Sequence, residues 1–102
     1  MSVIVTLRVR GDGSTIEKLA AEDPKVLEDI SEVAKEHGVL YHRFYANDDE
    51  VLVVDEWPDA GSFQKFFDAQ DAQIRGVMDR AGVTTQPEIT YWRKLDTKDD
   101  VG

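Results

Sequence analysis

The sequence predicts an α+β fold in which four strands form one antiparallel sheet and two helical segments cross over it. Three observations carry this. Residues 3–10 alternate apolar and polar with period two, as a half-buried strand does. Two separate stretches repeat apolar residues every three to four positions, as amphipathic helices do. Between them, two apolar runs are joined by the turn Asn47-Asp48-Asp49-Glu50, the chemistry of a hairpin.

Val3, Val5, Leu7 and Val9 share one side of the first strand, and Ile4, Thr6, Arg8 and Arg10 the other. Gly11-Asp12-Gly13 ends it. Ser14 with Glu17 three residues later reads as a capping box opening a short helix through Ile16, Leu19 and Ala20. Asp23-Pro24 restarts the helix, with Asp as N-cap and Pro at the first helical position, where its missing N–H is harmless. Val26, Leu27, Ile30, Val33 and Ala34 then form the apolar stripe, and Gly38 supplies a left-handed cap. Residues 39–46 and 51–57 are the second and third strands. Pro58-Asp59 opens a second helical region with Phe63, Phe66, Phe67, Gln70 and Ile74 along one stripe, continuing as one helix or a second piece through Val77, Met78 and Ala81 to Gly82. After Gln86-Pro87, residues 88–95 make the last strand. The order β-α-β-β-α-β is the ferredoxin-like split unit. Residues 1–95 form the single domain, and 96–102 read as a disordered acidic tail.

The bulk properties agree with one soluble domain. A chain of 102 residues with 41% hydrophobic residues has enough apolar material for one core. Twelve Lys and Arg against 21 Asp and Glu give a net charge of −9, which argues against binding nucleic acid or an anionic membrane surface. Without cysteine there is no disulfide, thiolate nucleophile or thiolate metal site. The first residues lack the basic and apolar segments of a signal peptide, so a cytoplasmic location is expected.

Neither face of the predicted sheet reads as wet. Val51 to Val54 is apolar without a break. The second strand sends Leu40 and Phe44 one way and Tyr41 and Tyr45 the other, and the last strand divides Ile89 and Tyr91 from Trp92. Helices cover one face only, and this much bare apolar area exceeds what soluble monomers expose. A homodimer is therefore expected, with Tyr41, Tyr45, Tyr91 and Trp92 as interface residues. The alternative is a monomer with a scattered aromatic surface.

The run Gly38-Val39-Leu40-Tyr41-His42-Arg43-Phe44-Tyr45, the acidic turn, then Val53-Val54-Asp55-Glu56-Trp57-Pro58-Asp59 leading into Ser62-Phe63-Gln64 resembles the dimeric α/β-barrel superfamily and, within it, the antibiotic-biosynthesis-monooxygenase-like group. The resemblance covers about residues 3–95. It implies two split units pairing their sheets into a barrel, with a cleft in each subunit between sheet and helices. Members include cofactor-free oxygenases of aromatic polyketides, haem-degrading enzymes and quinone-handling enzymes. Phe66 stands where the resemblance implies a Trp in haem degraders or a His in many other members, and Arg75 stands about where haem-ligating His falls. Phe66 cannot ligate iron or carry a proton, and Arg75 has no free lone pair, so haem degradation is disfavoured. The oxygen-activating Asn of several relatives has no counterpart, since Asn47 is the only Asn and lies in the hairpin turn.

His42 is the strongest candidate for chemistry. Imidazole suits a base acting on a phenol or quinol near neutral pH, and a mid-strand side chain can project into a cleft. The alternative is a structural histidine bonded to a neighbour. His37, before Gly38, reads as a helix C-terminal residue favoured by the dipole. Phe63, Phe66, Phe67, Gln70, Ile74 and Arg75 are the candidate pocket wall. Arg8, Arg43, Arg75 and Arg93 either pair with Asp55 or Glu56 or hold an anionic substrate oxygen. Asp48-Asp49-Glu50 and Asp99-Asp100 lack the ordered spacing of a hard-metal loop, and no phosphate loop, nucleophile elbow or dinucleotide fingerprint occurs, so no metal or cofactor is expected. The reading is a cofactor-independent monooxygenase for a planar aromatic or quinone-like metabolite. The alternative is a non-catalytic dimer that binds a small ligand or is purely structural. An open cavity at His42 favours enzyme or binder; Phe63, Phe66 and Phe67 filling the cleft favours the structural reading.

Overall fold

The computed structural model describes residues 2–102. Its elements run β1 (Val3–Arg10), α1 (Gly13–Glu22), α2 (Pro24–Glu36), β2 (Tyr41–Ala46), β3 (Glu50–Trp57), α3 (Ala60–Ala69), α4 (Asp71–Arg80) and β4 (Glu88–Trp92). The four strands form one antiparallel sheet in the order β2-β3-β1-β4, so the sequence order and the ferredoxin-like topology agree.

Register decides which side chains share a face. β1 places Val5 opposite Asp55, Leu7 opposite Val53 and Val9 opposite Val51, while β2 places His42 opposite Asp55 and Phe44 opposite Val53. The helices pack on this face. Val5, Leu7, Ala34, Trp57, Phe63 and Phe66 form its main core, and Ile16, Val51, Ala81 and Val83 a smaller one. Trp57 is central, with Phe63 edge-on at 5.8 Å and Phe66 tilted at 5.2 Å.

Several helix ends differ from expectation. Asp12, not Ser14, caps α1: its backbone is extended and its carboxylate accepts from the Ser14 N–H at 2.9 Å, while Ser14 already lies inside the helix. Asp23 occupies the N-cap position of α2, but its side chain makes no capping bond and pairs instead with Arg80 at 3.0 Å. Asp59 caps α3 through the Ser62 N–H at 2.7 Å. That bond holds its carboxyl below the usual carboxylate value. Gly38 takes φ +95°, the left-handed conformation that glycine adopts without penalty. Gly13 is needed for space, since an added Cβ would lie 2.5 Å from the Ala46 Cβ. β2 starts at Tyr41 rather than 39, because the Val39 N–H turns back to the Ala34 carbonyl at 3.0 Å, and β4 ends at Trp92 rather than 95.

The opposite face presents Ile4, Thr6, Leu52, Val54, Tyr41, Arg43, Tyr45 and Trp92 in alternation with the first. It is less uniformly apolar than the alternation suggested. Arg8 bridges Glu50 at 3.2 Å and Glu88 at 2.7 Å, and Trp92 donates to the Thr6 hydroxyl at 2.9 Å. The Tyr41 and Tyr45 hydroxyls lie 2.7 Å apart, and the Arg43 guanidinium sits 4.1 Å above the Tyr41 ring. The hydrogen bond from Tyr45, aided by Arg43, holds the Tyr41 phenol below its ordinary value. Tyr45 and Trp92 remain 47% and 54% exposed, so none of the described residues covers them closely. Among the described residues no helix is long and apolar enough to cross a membrane.

Candidate functional site

A cavity of about 110 Å³ lies between the first sheet face and the helices. Its wall is apolar except for His42 and Asp55. Their meeting follows from the hairpin. The Asn47 side chain accepts from the Asp49 and Glu50 N–H groups at 2.9 and 2.8 Å, which closes the turn. The turn sets the β2–β3 register, and that register puts His42 beside Asp55 on the helix face.

The two are directly bonded, with His42 Nδ1 2.6 Å from Asp55 Oδ1. Asp55 is only 3% exposed, and its second oxygen, Oδ2, accepts from the Trp57 indole N–H at 3.1 Å. Two residues apart on one strand, Asp55 and Trp57 project to the same side. Both carboxylate oxygens are thus engaged. A carboxylate only accepts, so Nδ1 carries the hydrogen, and in the neutral imidazole the other ring nitrogen, Nε2, has the free lone pair. The ring is steadied further by Phe44, edge-on at 5.3 Å. His42 is 35% exposed at the side chain and belongs to the edge strand β2, so solvent reaches its ring at that edge.

Of the residues expected in the wall, Phe63, Phe66, Phe67 and Ile74 line the cavity, whereas Gln70 and Arg75 do not. The helical region breaks at Gln70, which ends α3 with its N–H on the Phe66 carbonyl and begins α4 by accepting from the Ile74 N–H. The stripe nevertheless keeps its phase across the break. In α4 it is Ile74, Val77 and Met78 that face inward, and Arg75 turns to solvent and pairs with Asp71 at 2.9 Å.

The arginines also fall elsewhere than expected. Neither Asp55 nor Glu56 pairs with one: Asp55 takes His42 and Trp57, and Glu56 accepts from the Ser2 hydroxyl at 2.6 Å. No arginine or lysine lines the cavity, so none holds a substrate oxygen there. The four aromatic residues expected at an interface divide between the faces. Tyr91 lies on the helix side, edge-on to Phe63 at 6.0 Å, while Tyr41, Tyr45 and Trp92 lie on the other. His37 caps α2, its Nδ1 2.9 Å from the Val33 carbonyl oxygen. Among the described residues no group of three or more histidine and acidic side chains is placed to hold a metal.

The carboxylate partner of His42 lies outside what the residue pattern alone predicts. Its signal was present in the turn: five residues back from Asn47 is His42, and five on from Glu50 is Asp55.

No family model matches the chain, and no curated protein matches it in sequence. Solved structures do match. A dimeric ferredoxin-like protein from an uncultured marine organism superimposes with a TM-score of 0.67 at 13% identity, over 98% of this chain and 93% of that one. SnoaB, a cofactor-independent oxygenase from Streptomyces nogalater, gives 0.60 at 14% identity over 97% of each chain. An antibiotic biosynthesis monooxygenase gives 0.60 at 9% identity, over 93% of this chain and 99% of that one. The chain therefore has the fold of the antibiotic-biosynthesis-monooxygenase-like proteins; at such identities the likeness shows the fold alone.

Proposed function

We propose that the protein is a homodimeric, cofactor-independent oxygenase for a planar aromatic or quinone-like metabolite, with His42 as its base. The observation that carries this is the free Nε2 of an aspartate-bound imidazole at the wall of an apolar cavity. A base held in one tautomer at the wall of an apolar cavity is suited to taking a proton from a weak acid. Phe63, Phe66 and Phe67 line the cleft but leave it open, which favours an enzyme over a purely structural dimer.

The chemistry balances with dioxygen as oxidant. His42 Nε2 takes the hydroxyl proton, leaving an electron-rich phenolate. One oxygen atom enters a ring carbon as a carbonyl, and the other leaves as water with two substrate hydrogens. His42→Ala is expected to lower dioxygen uptake on a turned-over phenol or quinol by about 10²–10⁴-fold with circular dichroism unchanged. Unchanged uptake would remove His42 from the mechanism.

The dimer rests on the second sheet face, where Ile4, Leu52, Val54, Tyr45 and Trp92 have no covering helix, and on the dimeric neighbour of the same fold. Leu52 lies between Arg8 and Tyr45 in the register. Leu52→Arg would set a second guanidinium beside Arg8 in the middle of that face. Sedimentation at micromolar concentration is expected to give a dimer for the native chain and a monomer for Leu52→Arg. A native chain that sediments as a monomer would overturn the dimer.

A further inference from the structure

We infer that the cleft takes an uncharged, single-ring substrate bearing one acidic hydroxyl; the inference rests on His42 as the base and narrows what that base acts upon. Size is the first argument. An apolar cavity of 150 Å³ accepts benzene, so about 110 Å³ leaves room within the walls for one ring at most and falls far short of three fused ones. Walls of close-packed side chains do not yield this difference cheaply. Phe63 and Phe67 are themselves stacked, with centroids 5.5 Å apart and planes 23° from parallel, and Phe66 is held against Trp57.

Charge is the second argument. The wall carries one buried carboxylate, Asp55, and one imidazole, with no lysine or arginine. When the substrate O–H bond breaks, the proton forms an N–H bond at Nε2 and the electron pair stays on the substrate oxygen. Imidazolium then faces the new phenolate on one side and Asp55 on the other. That leaves one net negative charge among three groups that are hydrogen-bonded to each other. A substrate that enters with its own carboxylate or phosphate would add a second negative charge against phenylalanine, isoleucine and methionine, with nothing to pair it. The overall charge of −9 opposes such an anion before it arrives.

The third argument is the polar inventory. Asp55 has both oxygens occupied and Nδ1 is used, so Nε2 is the one side-chain polar atom of that pair left for a ligand. One hydroxyl can be satisfied there. A second polar substituent turned inward would be buried without a partner.

Titrating the full-length protein with phenol, 4-hydroxybenzoate, 2-naphthol and 9-phenanthrol tests this, following the His42 ring nitrogens by NMR. Phenol is expected to bind and shift them. 4-Hydroxybenzoate should bind at least tenfold more weakly, and 9-phenanthrol should not bind. Phe67→Ala, or Phe67→Leu if the alanine variant does not fold, should admit 2-naphthol where the native protein rejects it. If 9-phenanthrol or 4-hydroxybenzoate binds as tightly as phenol and shifts His42, the size or charge inference fails while the base assignment stands. If none of the four shifts His42, both fail.

Discussion

Trp57→Ala is expected to be the most destabilising single substitution in the chain, at about 3–5 kcal/mol for the lost aromatic side chain alone. Trp57 is completely buried and lies between Phe63 and Phe66, so its removal leaves a cavity walled by two rings anchored in α3. It also leaves Asp55 Oδ2 without a donor, and a buried acceptor stripped of its partner adds about 1–3 kcal/mol. A small domain has about 5–15 kcal/mol in all, so the variant should sit close to unfolding. Thermal denaturation followed by circular dichroism is expected to show a fall in Tm of at least about 15 °C. Trp57→Phe separates the two contributions in large part, because it keeps a six-membered ring in the core while losing the indole N–H with the rest of the five-membered ring. A Tm within a few degrees of native for Trp57→Ala would mean that the core does not depend on this contact.

What was legible in the amino-acid order follows from the range of the forces involved. Alternation in Val3–Arg10 and the apolar stripe from Val26 to Ala34 are local patterns, and they located β1 and α2 closely. Gly38 and Gly82 marked helix ends because each adopts positive φ, a demand that one residue makes by itself. The cap of α1 was harder, since Asp12 and Ser14 are both good capping residues and only the backbone at Asp12 decides between them. The phase of the second helical region was legible: Ile74, Val77 and Met78 face inward as their spacing with Phe63, Phe66 and Phe67 predicts, straight through the break at Gln70. Arg75 lies one residue off that stripe and faces solvent, paired with Asp71, so its place in the wall had no support from the periodicity. The site was half legible. His42 stood out through its chemistry and mid-strand position. Its carboxylate did not, because an Asp in an apolar strand is equally compatible with an arginine partner, and only the hairpin register excludes that. The cavity is a tertiary property of side chains from both helices and sheet, and no local pattern encodes its volume.

Asp55→Asn is expected to lower turnover by about 10²–10⁴-fold while leaving the fold in place, the range seen when a catalytic imidazole loses its orienting carboxylate or its tautomer. The substitution conserves shape and changes one acceptor into a donor. Asp55 now receives two hydrogens, one from His42 Nδ1 and one from Trp57 Nε1, and an amide has only one oxygen to offer them. If the amide oxygen turns to the indole, the NH₂ faces His42, which must then accept at Nδ1 and carry its proton on Nε2. The nitrogen facing the cavity becomes a donor and can no longer remove a proton. If the oxygen turns to His42 instead, two donors oppose each other at Trp57, an unpaired contact of about 1–3 kcal/mol in a buried site. The indole cannot rotate away, because Phe63 and Phe66 hold it on both sides. The first arrangement is therefore favoured, and it is the inactive one. Asp55 acts through His42, as a positioning residue, so the decisive reading is the tautomer itself. The ¹⁵N shifts of the two ring nitrogens should show hydrogen on Nδ1 in the native protein and on Nε2 in Asp55→Asn. A variant that turns over at the native rate with hydrogen still on Nδ1 would show that Asp55 holds His42 in place without setting its chemistry.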